Sequence, residues 1–160
     1  KDGQNLKYED PHSFTMNSSS YKAGDKIAEM GACNNCHFYG EEKPKQAALT
    51  WAPNLVLTKE RLRPEWLVEW FVNPQDVMPG TKMPAPYIPT EEPIGSIREV
   101  WGRDVEKISS DSTLLYKALI DWMWGMEGRS DVSNIVRRHI KSDGYGFIIE
   151  EEDDWGDDDW

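Results

Sequence analysis

Ligands for a metal are scarce in this chain. Among its 160 residues there are two cysteines and three histidines. A zinc site on the cysteine pair would need two further ligands, and His12 and His139 stand far from it in sequence. No stretch is long and apolar enough to span a membrane. Basic residues are outnumbered, 18 to 29, for a net charge of −11, which argues against nucleic acid as a partner. No alternation of strand and helix marks the βαβ setting that a thioredoxin-like dithiol takes. The length bounds the chain to one domain, or one small domain with extensions. Hydrophobic content is modest, but eight Trp and six Tyr supply large buried surface per residue.

The two cysteines stand together, in Cys33-Asn34-Asn35-Cys36-His37. C-x-x-C-H is the attachment motif for c-type haem. Two thiols three positions apart can each reach one vinyl group of the same porphyrin. The histidine that directly follows can then offer a ring nitrogen to the iron from one face. A redox dithiol and a metal site are the rival readings. A haem in the core adds apolar area that a thin protein core lacks. Covalent haem attachment takes place outside the cytoplasm, so the motif implies export, to the periplasm or the outer face of the cytoplasmic membrane. Lys1 stands where an initiator methionine would, and a mature chain whose export signal has been removed is the expectation.

Residues 1–19 are polar and irregular and read as an extended N-terminal arm, with His12 solvated there. A helix begins at Ser20, with a serine cap and Tyr21, Ala23, Gly24, Ile27, Ala28 and Met30 at helical spacing, and ends at Gly31. Glycine in mid-helix costs about 1 kcal/mol, so Gly24 points to a second helix crossing closely there. Residues 38–58 read as a loop with exposed charges from Glu41 to Lys45. In it, Pro53 is a candidate to present its backbone carbonyl to His37, since a ligating histidine usually donates its other ring N–H to a fixed acceptor; an ordinary turn is the alternative. A second helix starts at Pro64 and carries Trp66, Leu67, Trp70 and Phe71 on one apolar face until Asn73-Pro74 stops it. An indole there, Trp66 first, is a candidate to bond a haem propionate.

From Pro74 to Pro86 the prolines predict a stiff, irregular loop able to deliver a thioether to the iron from the side opposite His37. Met83 and Met78 are its two candidates, whereas Met30, Met123 and Met126 read as core filler. Residues 91–111 suggest a helix broken at Gly102. Asp111-Ser112 then caps a stronger helix, with Leu114, Leu115, Ala118, Leu119, Trp122 and Met123 on one face and Gly125 at its end. This is the helix expected to cross the first at Gly24.

The chain continues past Gly128. Ser130 or Asp131 caps a short amphipathic helix with Val132, Ile135, Val136, His139 and Ile140 inside and Arg137, Arg138 and Lys141 outside. Residues 144–149 read as a short strand. Residues 150–160 hold eight of the 29 acids and no base, leaving 21 acids against 18 bases elsewhere, so the acidity belongs mainly to the tail. Its order would come from the basic helix face, from a bound divalent cation such as calcium, or from a partner subunit. The partner is favoured, because Trp155 and Trp160 look like anchors.

These residues together resemble class I c-type cytochromes. Cys33, Cys36 and His37 match the haem-binding motif. Pro53-Asn54-Leu55 looks like the family's Gly-Pro-x-Leu segment, with Ala52 where glycine is usual. Pro79-Gly80-Thr81-Lys82-Met83-Pro84 is similar to its methionine-ligand loop, which favours Met83 over Met78. Arg63-Pro64-Glu65-Trp66-Leu67 through Gln75 is like the corresponding run of bacterial cytochrome domains attached to respiratory complexes. The resemblance covers about residues 20–126. It implies an all-α cytochrome c fold around one covalently bound haem, followed from 127 to 160 by a helix, a strand and an acidic tail. It also implies iron ligation by His37 and Met83, no open substrate site and hence no catalytic residue, and single-electron transfer between redox protein partners, within a larger respiratory or redox complex. The alternatives are a haem-dependent enzyme or sensor with an open distal site, or a structural assembly module.

Overall fold

The computed structural model describes residues 18–90, 92–128 and 132–142. They are mostly helical, and the described residues contain no strand, only two isolated bridges. The all-α class that the resemblance implies is therefore observed among the described residues. The N-terminal arm before Ser18, the strand at 144–149 and the acidic tail with its cation or partner contacts lie outside the described residues.

The first helix, α1 (Ser19–Met30), begins one residue earlier than expected, so Ser19 belongs to the helix and not to the arm. Any of the three consecutive serines can cap. Ser18 does so, its Oγ accepting from the Tyr21 N–H at 3.1 Å, while Ser20 is committed elsewhere, donating to Asp121. The buried face of α1 is Ala23, Gly24, Ile27 and Ala28. Met30 lies off that face and is 42% exposed, so it is not the core filler its spacing suggested. Met123 and Met126 are buried.

Short turns lead from the cysteine segment to α2 (Thr58–Arg61). Next comes α3 (Pro64–Val72), with proline in its first turn and Leu67 and Phe71 buried. Asn73 ends α3, but the irregular loop does not start there. Asn73 also precedes α4 (Pro74–Val77), where Pro74 again sits at a position whose N–H needs no partner. After the methionine segment come α5 (Ile94–Val100) and α6 (Arg103–Glu106), broken between them by Gly102 at φ +86°. The next helix, α7 (Ser112–Gly125), is capped by Asp111, whose Oδ1 accepts from Thr113 N–H at 2.8 Å.

Helices α1 and α7 form the largest helix pair, and they meet at Gly24. A Cβ on Gly24 would stand 1.9 Å from the Ala118 carbonyl oxygen, so the two backbones touch there. Around this crossing Ala23, Ile27, Leu67, Phe71, Trp101, Leu115, Leu119 and Trp122 form one apolar core. The chain divides into two compact units, residues 1–130 and 131–160. In the second, α8 (Val132–Ser142) carries Arg137 and Arg138 exposed and His139 half-buried.

Candidate functional site

Ala32 starts the site. Its φ of 51° is left-handed and turns the chain sharply out of α1 into a 3-10 turn, Cys33–Asn35. The N–H groups of Cys36 and His37 both donate to the Cys33 carbonyl, at 3.2 and 2.9 Å. The turn thus holds two thiols and an imidazole within five residues. Both cysteines are free and half-buried, and Cys33 packs on the apolar core. Burial pushes its thiol up to about 11. A nucleophilic thiol is favoured by the opposite shift.

His37 Nδ1 lies 2.7 Å from the Pro53 carbonyl oxygen. A carbonyl only accepts, so Nδ1 carries the proton and Nε2 presents its lone pair. Burial holds the imidazole below its ordinary pKa, against the smaller opposing effect of the Pro53 carbonyl, and so favours the neutral ring. Pro53 is fixed by a short ladder: Ala52 N–H donates to Cys36 at 2.7 Å, and Leu55 N–H to Phe38 at 2.9 Å. Asn54, 3% exposed, completes it. Its side-chain oxygen accepts from Gly40 and Val56 N–H, and its amide donates to the Gly40 carbonyl at 2.8 Å. Alanine at 52 is accommodated without loss of this geometry.

The other candidate ligands lie in the methionine segment. Met83 is half-buried and packs on the core, while Met78 is 55% exposed. Of the two sulfurs, that of Met83 is the one held. The Trp70 indole N–H donates to Met83 Sδ at 2.9 Å, and Met83 N–H donates to Thr81 Oγ1 at 3.3 Å. Gln75 donates to the Thr81 carbonyl. Further on, both oxygens of Glu92 are used, one by the Tyr87 hydroxyl at 2.9 Å and one by the Trp101 indole at 3.2 Å.

Trp66 lies stacked on Trp70, with ring centroids 5.1 Å apart. Both indoles pack on the core with Cys33 and Met83. The Trp70–Met83 bond was not foreseen from the sequence; the signal for it is the i, i+4 spacing of Trp66 and Trp70, which puts both indoles on one stripe of α3. Of the remaining histidines, His12 lies outside the described residues and His139 belongs to the second compact unit. Among the described residues, no group of three or more His, Cys, Asp or Glu stands together to hold a metal ion, and no helix is long and apolar enough to cross a membrane.

Two thiols on one turn beside a neutral imidazole of fixed tautomer are groups that a covalently attached haem would use, and Met83 packs on the same core cluster as Cys33. No protein-family model, curated protein or solved structure matches this chain.

Proposed function

We propose that this chain is a monohaem c-type electron carrier, exported, and a subunit of a larger redox assembly. The observation that carries the reading is the 2.7 Å contact of His37 Nδ1 with the Pro53 carbonyl, immediately after Cys36. A dithiol site has no use for an imidazole oriented by its outer nitrogen, whereas an iron ligand does.

Bound haem supplies reversible one-electron exchange at its iron. Cys33 and Cys36 would tether it through thioether bonds. His37 would offer Nε2 to the iron, with Pro53 keeping that ring from turning. Met83 would offer its sulfur as a second ligand, and a soft thioether would favour the reduced state relative to a second histidine. Trp66, with Trp70 and the apolar core, excludes water and raises the cost of the extra positive charge on oxidation. Were His37 and Met83 both to ligate the iron, no position would be left for a substrate, which favours transfer over catalysis. Redox partners dock over a small, weak interface at a surface edge of the haem. The acid-rich 150–160 segment, with Trp155 and Trp160, is the proposed contact with the rest of the assembly.

The test is the visible spectrum of the purified holoprotein. The ferric form should show the weak red band of iron–thioether coordination, and Met83→Ala should remove it. A low-spin ferric spectrum without that band in the parent protein means a second nitrogen ligand. A high-spin spectrum means an open site, and moves the reading to an enzyme or sensor.

A further inference from the structure

Past the end of α7 at Gly125, the chain stays on the histidine segment for three more residues. Met126 turns extended, at φ −64° and ψ 129°, and residues 126–128 pass over Gly40 and Val56. Two contacts hold them there. Lys59 Nζ, on α2, donates to the Met126 carbonyl at 3.3 Å. Gly128 lies directly against its neighbours: a Cβ there would stand 3.2 Å from Gly40 Cα and 3.3 Å from Val56 Cγ2.

The two residues under Gly128 share one partner. The N–H groups of Gly40 and Val56 both donate to Asn54 Oδ1, at 3.0 and 3.2 Å. The Gly40 carbonyl accepts from the same side chain. Gly40 therefore has little freedom to yield, since both its polar groups are bonded to Asn54. Val56 is β-branched, and its methyl has few other rotamers to take. A push at Gly128 is delivered to Asn54. That residue is 3% exposed and directly follows Pro53, whose carbonyl holds His37 Nδ1.

We propose that residues 126–128 are a strap over the histidine segment, and that Gly128 and Lys59 are positioning residues for His37, acting through Asn54 and Pro53. With the strap seated, Asn54 keeps the Pro53 carbonyl on the imidazole. With the strap lifted, the carbonyl shifts and the ring is free to turn. What this does to an iron ligand rests on the electron-carrier reading above; the link from Gly128 to His37 does not. The strap is the weak member of the arrangement. One long bond from an exposed lysine and a glycine contact hold it, whereas the ladder below has several backbone bonds. The second compact unit begins at Asp131, so the path of the chain toward that unit is part of the candidate site.

The experiment compares full-length holoprotein with Gly128→Ala, Lys59→Met and Lys59→Arg. Gly95→Ala is the control, because a Cβ there meets nothing within 4 Å. Amide exchange by NMR reads the Gly40, Leu55 and Val56 N–H groups, and the ring resonances of His37 read its orientation. Gly128→Ala should speed exchange at the three amides about ten-fold, through local overpacking, and shift the His37 resonances. Lys59→Met removes one bond and should speed exchange about five-fold, with a smaller shift of His37 in the same direction. Lys59→Arg keeps a donor and should restore parent values. Gly95→Ala should change neither readout.

Parent-like His37 resonances in both Gly128→Ala and Lys59→Met, whatever their melting temperatures, would overturn the proposal and reduce the strap to packing. Should Gly128→Ala not assemble, the two Lys59 variants decide alone. The electron-carrier reading fails separately, by an absence of haem absorption in the purified protein. Both readouts work without iron, so that failure leaves this test intact.

Discussion

The histidine segment and the methionine segment are held by different means. On the histidine side, the backbone does most of the work: Cys36, Phe38, Ala52 and Leu55 form a short ladder, and Asn54 adds three bonds to main-chain groups. On the methionine side the prolines leave few N–H groups to pair, and side chains take over, through Trp70 on Met83, Gln75 on Thr81, and Tyr87 and Trp101 on Glu92. The difference follows from the composition of the two segments. A backbone ladder tolerates most side-chain changes. A segment clasped by single side chains does not, and each clasp can be removed on its own.

The largest effect should come from the helix pair α1 and α7. Gly24→Ala would drive a methyl into the Ala118 carbonyl. The expected loss is about 3 kcal/mol or more, from helices forced apart along their whole contact, and urea unfolding measures it. A loss under 1 kcal/mol would mean that the helices are not in contact at the backbone. Next is Asn54→Ala, which strands the Gly40 N–H, the Gly40 carbonyl and the Val56 N–H in a buried place. About 3 kcal/mol is expected, with His37 losing its fixed orientation. On the methionine side Glu92→Ala removes two bonds from a partly exposed carboxylate and should cost about 1 kcal/mol. If Glu92→Ala proves more costly than Asn54→Ala, the contrast between the two sides is reversed.

A smaller effect has the opposite sign. Ala32 holds a left-handed φ that its methyl opposes, so Ala32→Gly should stabilise the protein by about 0.5–1 kcal/mol, less any gain in unfolded-chain entropy. A thermal melt unchanged or lowered would show that the turn is not strained. The smallest lies outside both sides. Asp104 is held below its ordinary carboxylate value of 3.8, first by the Ser19 hydroxyl and then by Lys107. A carboxylate depressed in the folded state adds stability above its unfolded pKa, and that stability is lost as pH falls through the folded value. Asp104→Asn should therefore lower stability slightly at neutral pH and leave it unchanged at acid pH, so that the acid-side fall is flattened.

Much of this arrangement was legible in the residues. Gly24 announced the crossing because only a backbone contact explains glycine in mid-helix. Pro64, Asn73, Asp111 and Gly125 marked helix ends because their chemistry is local. The Pro53 carbonyl was anticipated because a ligating imidazole needs a fixed acceptor. Three things were less accessible. Ser18, and not Ser20, caps α1, since the choice among three serines depends on Asp121, which is distant in sequence. The short helix α4 was hidden because one asparagine ends α3 and leads into α4. The Trp70–Met83 bond joins residues whose partnership depends on the path of a proline-rich segment, which no periodicity predicts.

The crossing of α1 and α7 also bears on how the protein comes to be folded. Ser20 and Asp121, which hydrogen-bond beside it, are 101 positions apart. Every residue of the candidate site lies in the loop that this contact closes. Closing so long a loop costs on the order of 4 kcal/mol in chain entropy before any site contact is made. The two helices must therefore find each other across nearly the whole unit, and folding should be slower than in a helical protein of the same size built from neighbouring contacts. A bond joining both cysteines to one rigid group shortens the search only inside the loop. It leaves the meeting of the ends as the step that sets the pace.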